Sequence, residues 1–248
     1  MVTIQCGDLK LEGVELVCFD KDGTLLTLEM YIPVMLERAK LLMQKYALKE
    51  ENYNAIVELM GLNPETHEII LGGPILIERV EIIRRTRAYL RTLSINSSIE
   101  EIANLFDEVD YLIDFTEHVK SINGIQEVLE KIRNSDAKLI IVTHDSTEPA
   151  AKQLASAGLY DYFDQVLGLD IDSPYQAKPA PDMLQYACKV LNVEVCKSIV
   201  IGDDDRDLLM GRNAGALACV GVLTGKSKAE EFKNADVIID SAAKIKVR

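Results

Sequence analysis

The chain has 248 residues, of which 48% are hydrophobic, and its formal net charge at pH 7 is −13. That length and hydrophobic content allow one large domain or a core with a second, smaller domain. The charge argues against a protein that binds nucleic acid through clustered lysines and arginines. A small anionic substrate is compatible, because a few local cations and a metal ion can reverse the field within one cleft.

The cysteines are scattered along the chain without any Cys-x-x-Cys spacing, and several lie in apolar segments. This usage is typical of free thiols in a reducing cytoplasm rather than of disulfides or a zinc site. The N-terminus lacks a basic region followed by a sustained apolar segment, and no apolar run approaches the length needed to cross a bilayer. We therefore expect a cytoplasmic protein with no membrane partner.

Residues 1–13, MVTIQCGDLKLEG, indicate a short hairpin. Beyond them, several short apolar runs are typical of buried parallel strands, because strands covered on both faces read as near-continuous hydrophobic segments. The strongest of these runs are Val14–Phe19, Lys138–Thr143, Lys197–Gly202 and Leu217–Val222. We expect Gln165–Leu167 and Asp236–Asp240 to complete the sheet.

Helix-like segments separate the predicted strands. They are Gly124–Arg133, Thr147–Ala157, Pro181–Leu191 and Asp205–Asn213, and the last ends at an Asn-Ala-Gly that is a suitable helix stop. Because strands and helices alternate, the sequence predicts the α/β class, with a doubly wound, Rossmann-like parallel sheet covered by helices on both faces.

Residues 29–115 differ from the rest, since they contain amphipathic helical patterns and no convincing strand. Examples are Ile32–Tyr46 and Ile75–Leu93, with breaks at Gly61–Glu65 and Leu71–Pro74. An insertion of this length is too long for a crossover helix. We therefore expect a core of residues 1–28 and 116–248 and an all-helical cap domain of residues 29–115.

Polar side chains follow the predicted strands where the strands end, and ligands of open α/β sheets bind at that edge. In chain order they are Asp20 and Asp22, then Thr143 together with the backbone of His144, then Lys178 in a loop, and finally Asp203, Asp204, Asp205 and Asp207. The set combines carboxylates, a hydroxyl and a lysine. Hard oxygen ligands of this kind suit Mg²⁺.

Each of these features has an ordinary structural explanation when taken alone. Asp-x-Asp-Gly is more often a turn, a Thr at a strand end and a Lys before Pro are common, and the run Asp203–Asp205 could complement a helix dipole. The catalytic interpretation is favoured because the features occur together, in the order and at the strand ends that the phosphoryl-transfer mechanism described below requires.

The segments FDKDGTLL, the Thr that ends IIVT, KPAPD and IGDDDRD, in this order, resemble the four motifs of the haloacid dehalogenase-like hydrolase superfamily. The resemblance covers about residues 14–28 and 117–240, and the spacing is similar to that of the phosphoglycolate phosphatase-like branch with its helical cap. It implies a Mg²⁺-dependent phosphatase whose partner is a small phosphorylated metabolite, either phosphoglycolate-like or a sugar phosphate.

The resemblance also implies roles for the carboxylates. Asp20 would attack phosphorus and form an aspartyl-phosphate, because a neighbouring divalent metal screens the repulsion between a carboxylate and a phosphate. Asp22 would protonate the leaving alcohol and then activate water to hydrolyse that intermediate. Asp20, the backbone carbonyl of Asp22 and Asp203 would hold the Mg²⁺.

The remaining motif residues would contact the phosphoryl group. Thr143 would donate a hydrogen bond to a phosphoryl oxygen, and Lys178 would neutralise its charge. Gly23 would allow the tight turn that brings the backbone close to the phosphate.

Two positions depart from the family pattern. His144 stands where many relatives have Asn, so either its backbone N–H alone serves or its side chain touches the leaving group. Asp204 stands where Ser or Thr is frequent, which leaves the hydrogen bonding around the metal ligands open. Asp207 matches the later acidic residue, and we expect it to support Lys178 or the metal shell rather than to ligate.

Substrate choice is expected to lie in the cap. Arg84 and Arg87 fall on one helical face that could meet a second anionic group, but the simpler interpretation is a solvated face in which Glu81 pairs with Arg85.

Rival functions remain on the same fold. A dehalogenase is disfavoured by the presence of Asp22, and a phosphonatase would need a reactive cap lysine. A phosphomutase shares nearly the same core motifs. A non-catalytic phosphate-binding regulatory protein is expected to lack one or more of Asp20, Asp22, Lys178 and Asp203, and this sequence has all of them.

Overall fold

The computed structural model of the protein describes residues 2–70 and 79–248. The chain forms two compact units, one of Met1–Thr27 with Val119–Arg248 and the other of Leu28–His118. The predicted domain limits, after residue 28 and after residue 115, fall near the limits of these units. Among the described helices, none has both the length and the apolar character that crossing a membrane requires.

The first unit contains all the strands of the described chain. They are β1 (Val2–Cys6), β2 (Leu9–Val14), β3 (Leu16–Phe19), β4 (Lys138–Val142), β5 (Gln165–Leu167), β6 (Ser198–Gly202), β7 (Ala218–Val222), β8 (Val237–Ile239) and β9 (Lys246–Val247). Six of them form a parallel sheet in the order β5-β4-β3-β6-β7-β8. The predicted parallel strands are thus confirmed, with ends that differ by one or two residues.

The helices fall into two groups. α1 (Ile32–Lys45), α2 (Tyr53–Leu59), α3 (Arg79–Thr92) and α4 (Ile99–Leu112) belong to the second unit, and α5 (Ile125–Arg133), α6 (Thr147–Ser156), α7 (Asp182–Leu191) and α8 (Asp205–Ala214) belong to the first. α8 ends at Ala214 and is capped by Gly215, whose φ of +87° suits glycine, as the Asn-Ala-Gly predicted.

Strand β3 is apolar throughout because both faces of the sheet are covered. Val17 and Phe19 pack in one hydrophobic cluster with residues of α5 and α6, whereas Leu16 and Cys18 pack in another with residues of α7 and α8. Consecutive side chains of a strand point to opposite faces, so a strand between two helical layers needs an apolar residue at every position. The predicted doubly wound α/β core is therefore confirmed.

The N-terminal hairpin is also confirmed. β1 pairs antiparallel with β2, and the last strand adds to it through the pairs Ile4↔Val247 and Gln5↔Lys246. Sequence reasoning did not find this third strand, because β9 has only two residues and shows no pattern.

The second unit is helical over its described residues and has its own apolar core. α1 begins at Ile32 as predicted, and α3 is described from Arg79 onward. The predicted break at Leu71–Pro74 and the predicted helix start at Ile75 lie outside the described residues.

One charged side chain is buried within this helical core. Arg38 is 5% exposed, and its Nη2 donates to both carboxylate oxygens of Asp110, at 2.6 and 2.8 Å. Its guanidinium also lies over the ring of Phe106, 4.6 Å from the centroid. The charge is stable in this position only while Asp110 compensates it.

Replacing Asp110 with Ala should destabilise the helical unit. We expect its free energy of unfolding to fall by about 2–4 kcal/mol, because removing one partner of a buried pair leaves the other charge uncompensated. Lys40→Ala breaks the exposed pair with Glu37 and should cost about 1 kcal/mol or less. Urea unfolding followed by circular dichroism measures both, and equally small losses would contradict the prediction.

Candidate active site

The first two predicted carboxylates follow β3, which lies between β4 and β6 in the middle of the sheet. The backbone N–H of Asp20 donates to the carbonyl of Ile201 in β6 at 2.9 Å, so strand pairing continues up to the carboxylate. The chain then turns at Gly23, whose φ of +77° favours glycine. Asp20 is thereby fixed at the carboxyl edge of the sheet, with Asp22 two residues further on.

Lys178 meets Asp20 at this edge. Its side chain is almost fully buried, and its Nζ donates to Asp20 Oδ1 at 2.6 Å and to the Val142 carbonyl at 3.1 Å. The same nitrogen lies 2.6 Å from Asp207 Oδ1. Burial opposes the charge of the ammonium, but the carboxylates of Asp20 and Asp207 outweigh it and raise the pKa of Lys178 above its usual value.

Asp207 lies in the first turn of α8 and is held on both sides. Its Oδ2 accepts the backbone N–H of Asp204 at 3.1 Å, in a capping box that begins the helix. Its Oδ1 faces Lys178, so both carboxylate oxygens have protein partners. This geometry agrees with a supporting role for Asp207, which stays a prediction.

Asp203 follows β6 and is enclosed by the loop that follows β7. Its side chain is buried, and its Oδ2 accepts the backbone N–H of Lys226 at 2.6 Å. In the same loop Thr224 Oγ1 donates to the carbonyl of Gly23 at 2.5 Å, and a Cβ added to Gly225 would overlap the Asp203 carboxylate. Sequence reasoning missed this loop, because Thr-Gly-Lys after a strand indicates only a turn.

Three of the carboxylates form a compact oxygen cluster. One oxygen each from Asp20, Asp203 and Asp207 lies within 4.8 Å of the others. Burial, reinforced by the charges of Asp20 and Asp207, raises the pKa of Asp203 well above its usual value. Burial also raises the pKa of Asp20, against the opposing charge of Lys178. A hard divalent cation would relieve this repulsion, and an all-oxygen donor set fits Mg²⁺.

Asp22 is held by Lys21, to which the sequence motifs assign no role. Lys21 is completely buried, and its Nζ donates to Asp22 Oδ1 at 2.6 Å. Burial raises the pKa of Asp22 to about 6, although Lys21 opposes the shift. Burial opposes the charge of Lys21 in turn, but Asp22 and Asp145 outweigh it and raise the pKa of Lys21. A lysine next to two aspartates in a polar turn gives no sequence signal of burial.

Thr143 and His144 follow β4. Thr143 is buried, and its Oγ1 accepts the backbone N–H of Asp145 at 3.2 Å. Because the hydroxyl is the acceptor in this bond, its own hydrogen can be donated to another group. His144 is half-buried, and its Nε2 has no hydrogen-bond partner within residues 2–70 and 79–248. Burial and the charges of Lys178 and Arg206 lower the pKa of His144, which favours the neutral imidazole.

Asp204 has a local structural task. It caps α8, and its Oδ2 lies 2.8 Å from both Arg206 Nη2 and Lys226 Nζ. Burial alone would raise the pKa of Asp204, but these two cations outweigh burial and hold it below its usual value. Asp204 therefore joins the start of α8 to the loop that encloses Asp203.

The two arginines predicted to bind substrate lie on α3 in the helical unit. Arg84 is 63% exposed, with its Nη1 3.8 Å from Glu81 Oε2, and Arg87 Nε donates to the carbonyl of Ser97 at 3.0 Å. Glu81 also pairs with Arg85 at 3.0 Å, as the simpler interpretation expected. A role of Arg84 and Arg87 in substrate binding stays a prediction.

The sequence is similar to a known protein family over most of its length. A family model described as haloacid dehalogenase-like hydrolase matches residues 14–215. A "probable phosphatase IndB" of Dickeya dadantii is 32% identical over 124 residues, which cover 49% of this chain and 53% of that protein. A phosphoglycolate phosphatase of Neisseria meningitidis is 26% identical over 226 residues, which cover 87% of this chain and 83% of that protein. The match thus spans about half of the first relative and most of the second.

A solved structure shares the fold. The crystal structure of a predicted phosphoglycolate phosphatase from Haemophilus somnus superposes with a TM-score of 0.68 at 19% identity, over 94% of this chain and 96% of that chain. The family match includes all four motifs, from Asp20 to Asp207, and the predicted resemblance to the phosphoglycolate phosphatase-like branch is confirmed. The chain belongs to the haloacid dehalogenase-like hydrolase family.

Proposed function

We propose that the protein is a Mg²⁺-dependent phosphatase that hydrolyses a small phosphomonoester through an aspartyl-phosphate at Asp20. The observation that carries the proposal is the contact of Asp20 with Lys178, next to Asp203 in one oxygen cluster. Residues whose chemistry suits a nucleophile, a cation for the phosphoryl group and a metal ligand therefore lie together at one sheet edge, which supports the proposal. Family membership and the phosphatases among the relatives support the same chemistry.

In the first half of the reaction, a carboxylate oxygen of Asp20 bonds to phosphorus while the bond from phosphorus to the leaving oxygen breaks. The electron pair of that bond stays on the leaving oxygen, which takes a proton from Asp22. Thr143 donates a hydrogen bond to a phosphoryl oxygen, and Lys178 neutralises the charge of the phosphoryl group. The pKa of Asp22, raised to about 6, keeps a proton on this group accessible near neutral pH.

In the second half, Asp22 takes a proton from water as the water oxygen bonds to phosphorus and the bond from phosphorus to Asp20 breaks. Asp20, the backbone carbonyl of Asp22 and Asp203 would hold the Mg²⁺, which screens the repulsion between the carboxylate nucleophile and the phosphate anion. The hydrogen bond from the Lys226 N–H and the close approach of Gly225 restrict the movement of the Asp203 carboxylate, which supports this role.

The helical unit is proposed to act as the cap that selects the substrate. The second relative is named a phosphoglycolate phosphatase, so 2-phosphoglycolate is the first compound to test. Sugar phosphates complete the panel, because the phosphoryl end of the site is the same for any small monoester.

Asp20→Asn should abolish turnover. We expect phosphate release from the best substrate to fall by about 10³-fold or more, since an amide cannot act as the nucleophile. Asp205→Asn is the matched control, because Asp205 belongs to the same acidic run but accepts hydrogen bonds from Lys233 and Asn234. Robust activity of the Asp20 variant would contradict the nucleophile assignment.

Removal of divalent metal should abolish phosphate release and added Mg²⁺ should restore it, because the buried carboxylates repel a phosphate without a cation. Activity that survives chelation would contradict the metal assignment. Interconversion of phosphate esters without net phosphate release would indicate a mutase instead. Binding of phosphate esters without turnover would indicate the regulatory alternative.

Gly225→Ala should weaken the metal site without removing a ligand. The added methyl would overlap the Asp203 carboxylate, so we expect the Mg²⁺ concentration for half-maximal activity to rise about tenfold or more. Leu223→Ala, an exposed position of the same loop, serves as the control. An unchanged Mg²⁺ requirement in a folded Gly225 variant would show that Asp203 does not bind the metal.

The cap arginines are tested by the double variant Arg84→Ala with Arg87→Ala. We expect the preference for 2-phosphoglycolate over a phosphate monoester of an uncharged alcohol to change by less than about threefold. The reason is that both side chains have partners within the helical unit. The measurement is kcat/KM for both esters. A selective loss of about tenfold or more with the carboxylated ester would instead assign the arginines to a second anionic group of the substrate.

A further inference from the structure

Lys21 lies between the two motif aspartates in sequence and is fully buried. Its Nζ contacts three acceptors: Asp22 Oδ1 at 2.6 Å, Asp145 Oδ2 at 3.0 Å and Gln153 Oε1. An ammonium has three N–H groups, so these three acceptors account for all of its hydrogen bonds. The nitrogen is therefore held from three sides rather than by a single ion pair.

Charge compensation alone does not explain this arrangement. Burying an ammonium is costly, and a single carboxylate would compensate its charge. The third acceptor is a neutral amide, Gln153, which is itself buried on α6 and adds direction but no charge. The network therefore fixes the position of the Lys21 nitrogen, and through it the carboxylate of Asp22.

We propose that Lys21 is a positioning residue for Asp22, a role that rests on the proposed function, and that Asp145 and Gln153 hold Lys21 in place. A carboxylate whose Oδ1 accepts a bond from a fixed ammonium cannot turn about its Cβ–Cγ bond without breaking that bond. Protonation of Oδ1 is disfavoured by the same bond, so the transferred proton is carried on Oδ2. Lys21 thus sets which oxygen of Asp22 faces the leaving group.

The reaction then assigns each proton to one atom. Asp22 Oδ2 gives its proton to the leaving oxygen as that oxygen keeps the electron pair of its bond to phosphorus. Oδ2 later takes a proton from the attacking water as the bond from phosphorus to Asp20 breaks. Lys21 keeps its own protons throughout.

The second buried lysine has a different partner. Lys178 contacts the side chains of Asp20 and Asp207, whereas the acceptors of Lys21 do not include the Asp20 carboxylate. Loss of Lys21 should therefore impair proton transfer at Asp22 more than attack by Asp20. This difference separates a positioning role from a general structural one.

The test is Lys21→Met assayed with two esters in the presence of Mg²⁺. A simple alkyl phosphate needs a proton on its leaving oxygen, whereas p-nitrophenyl phosphate has a leaving group that departs without one. We expect kcat for the alkyl ester to fall about 10- to 100-fold more than the rate constant for nitrophenolate release in the first turnover. KM for the alkyl ester should change less than about threefold. Hydrolysis of the aspartyl-phosphate should also slow, so a burst of nitrophenolate should precede a slow steady state.

Lys197→Met is the matched control, because Lys197 pairs with Glu15 at the opposite edge of the same sheet. This variant should keep the wild-type ratio between the two esters. A folded Lys21→Met that keeps the wild-type ratio, or that loses both reactions in equal proportion, would overturn the positioning role. If Lys21→Met does not fold, Gln153→Leu decides, since it removes one anchor and leaves the ion pairs. Its ratio should shift in the same direction, and a wild-type ratio would overturn the proposal.

The wild-type protein and Asp20→Asn separate this proposal from the proposed function. Wild-type turnover that Asp20→Asn abolishes supports the phosphatase chemistry, whatever Lys21→Met does. Absence of wild-type turnover with every ester would overturn both proposals together.

Discussion

The structure of the candidate active site depends on the balance of charge at the carboxyl edge of the parallel sheet. Asp20, Asp22, Asp203 and Asp207 are buried or half-buried there, and the only lysines buried among the described residues are Lys21 and Lys178. Isolated carboxylates could not be placed this close together in a low-dielectric environment without protonation. Each ammonium is shared between two carboxylates, which holds the aspartates in fixed positions but leaves negative charge in excess.

The fold makes this concentration of charge possible. Because β3 lies between β4 and β6, residues that follow these three strands come together at the middle of the carboxyl edge. The apolar strands and the two helical layers supply the hydrophobic burial, and the N-terminus of α8 supplies capping interactions for Asp204 and Asp207. The hydrophobic core therefore offsets the free-energy cost of burying these charges.

The α/β core and the position of its polar strand-end residues could be predicted from the sequence, because both depend on local sequence patterns. Near-continuous apolar strands alternate with helical segments, and the polar residues Asp20, Thr143, Lys178 and Asp203 stand where strands end or in the loops that follow. The carboxyl edge of a parallel sheet gathers such residues whatever the details of packing.

The remaining features depend on contacts between residues far apart in the chain. Lys21 and Gln153 are separated by 132 positions, and nothing in either local sequence distinguishes them from solvated residues. In the sequence Gly225 has the pattern of an ordinary turn glycine. Only the tertiary structure brings it against Asp203. A helical face of arginines is ambiguous for the same reason, since Arg84 and Arg87 find local partners that the periodic pattern does not specify.

The excess negative charge also bears on the order of binding in the proposed reaction. A phosphate dianion approaching this edge meets ammonium groups already saturated by carboxylates, in a protein of net charge −13. The proposed Mg²⁺ would supply local attraction for such a substrate. In the proposed mechanism the metal would accordingly bind before the phosphate does. Lys178 is shared between Asp20 and Asp207. In the proposed mechanism its contribution to the phosphoryl group would therefore grow as charge leaves Asp20 during attack, which is the differential stabilisation that catalysis requires.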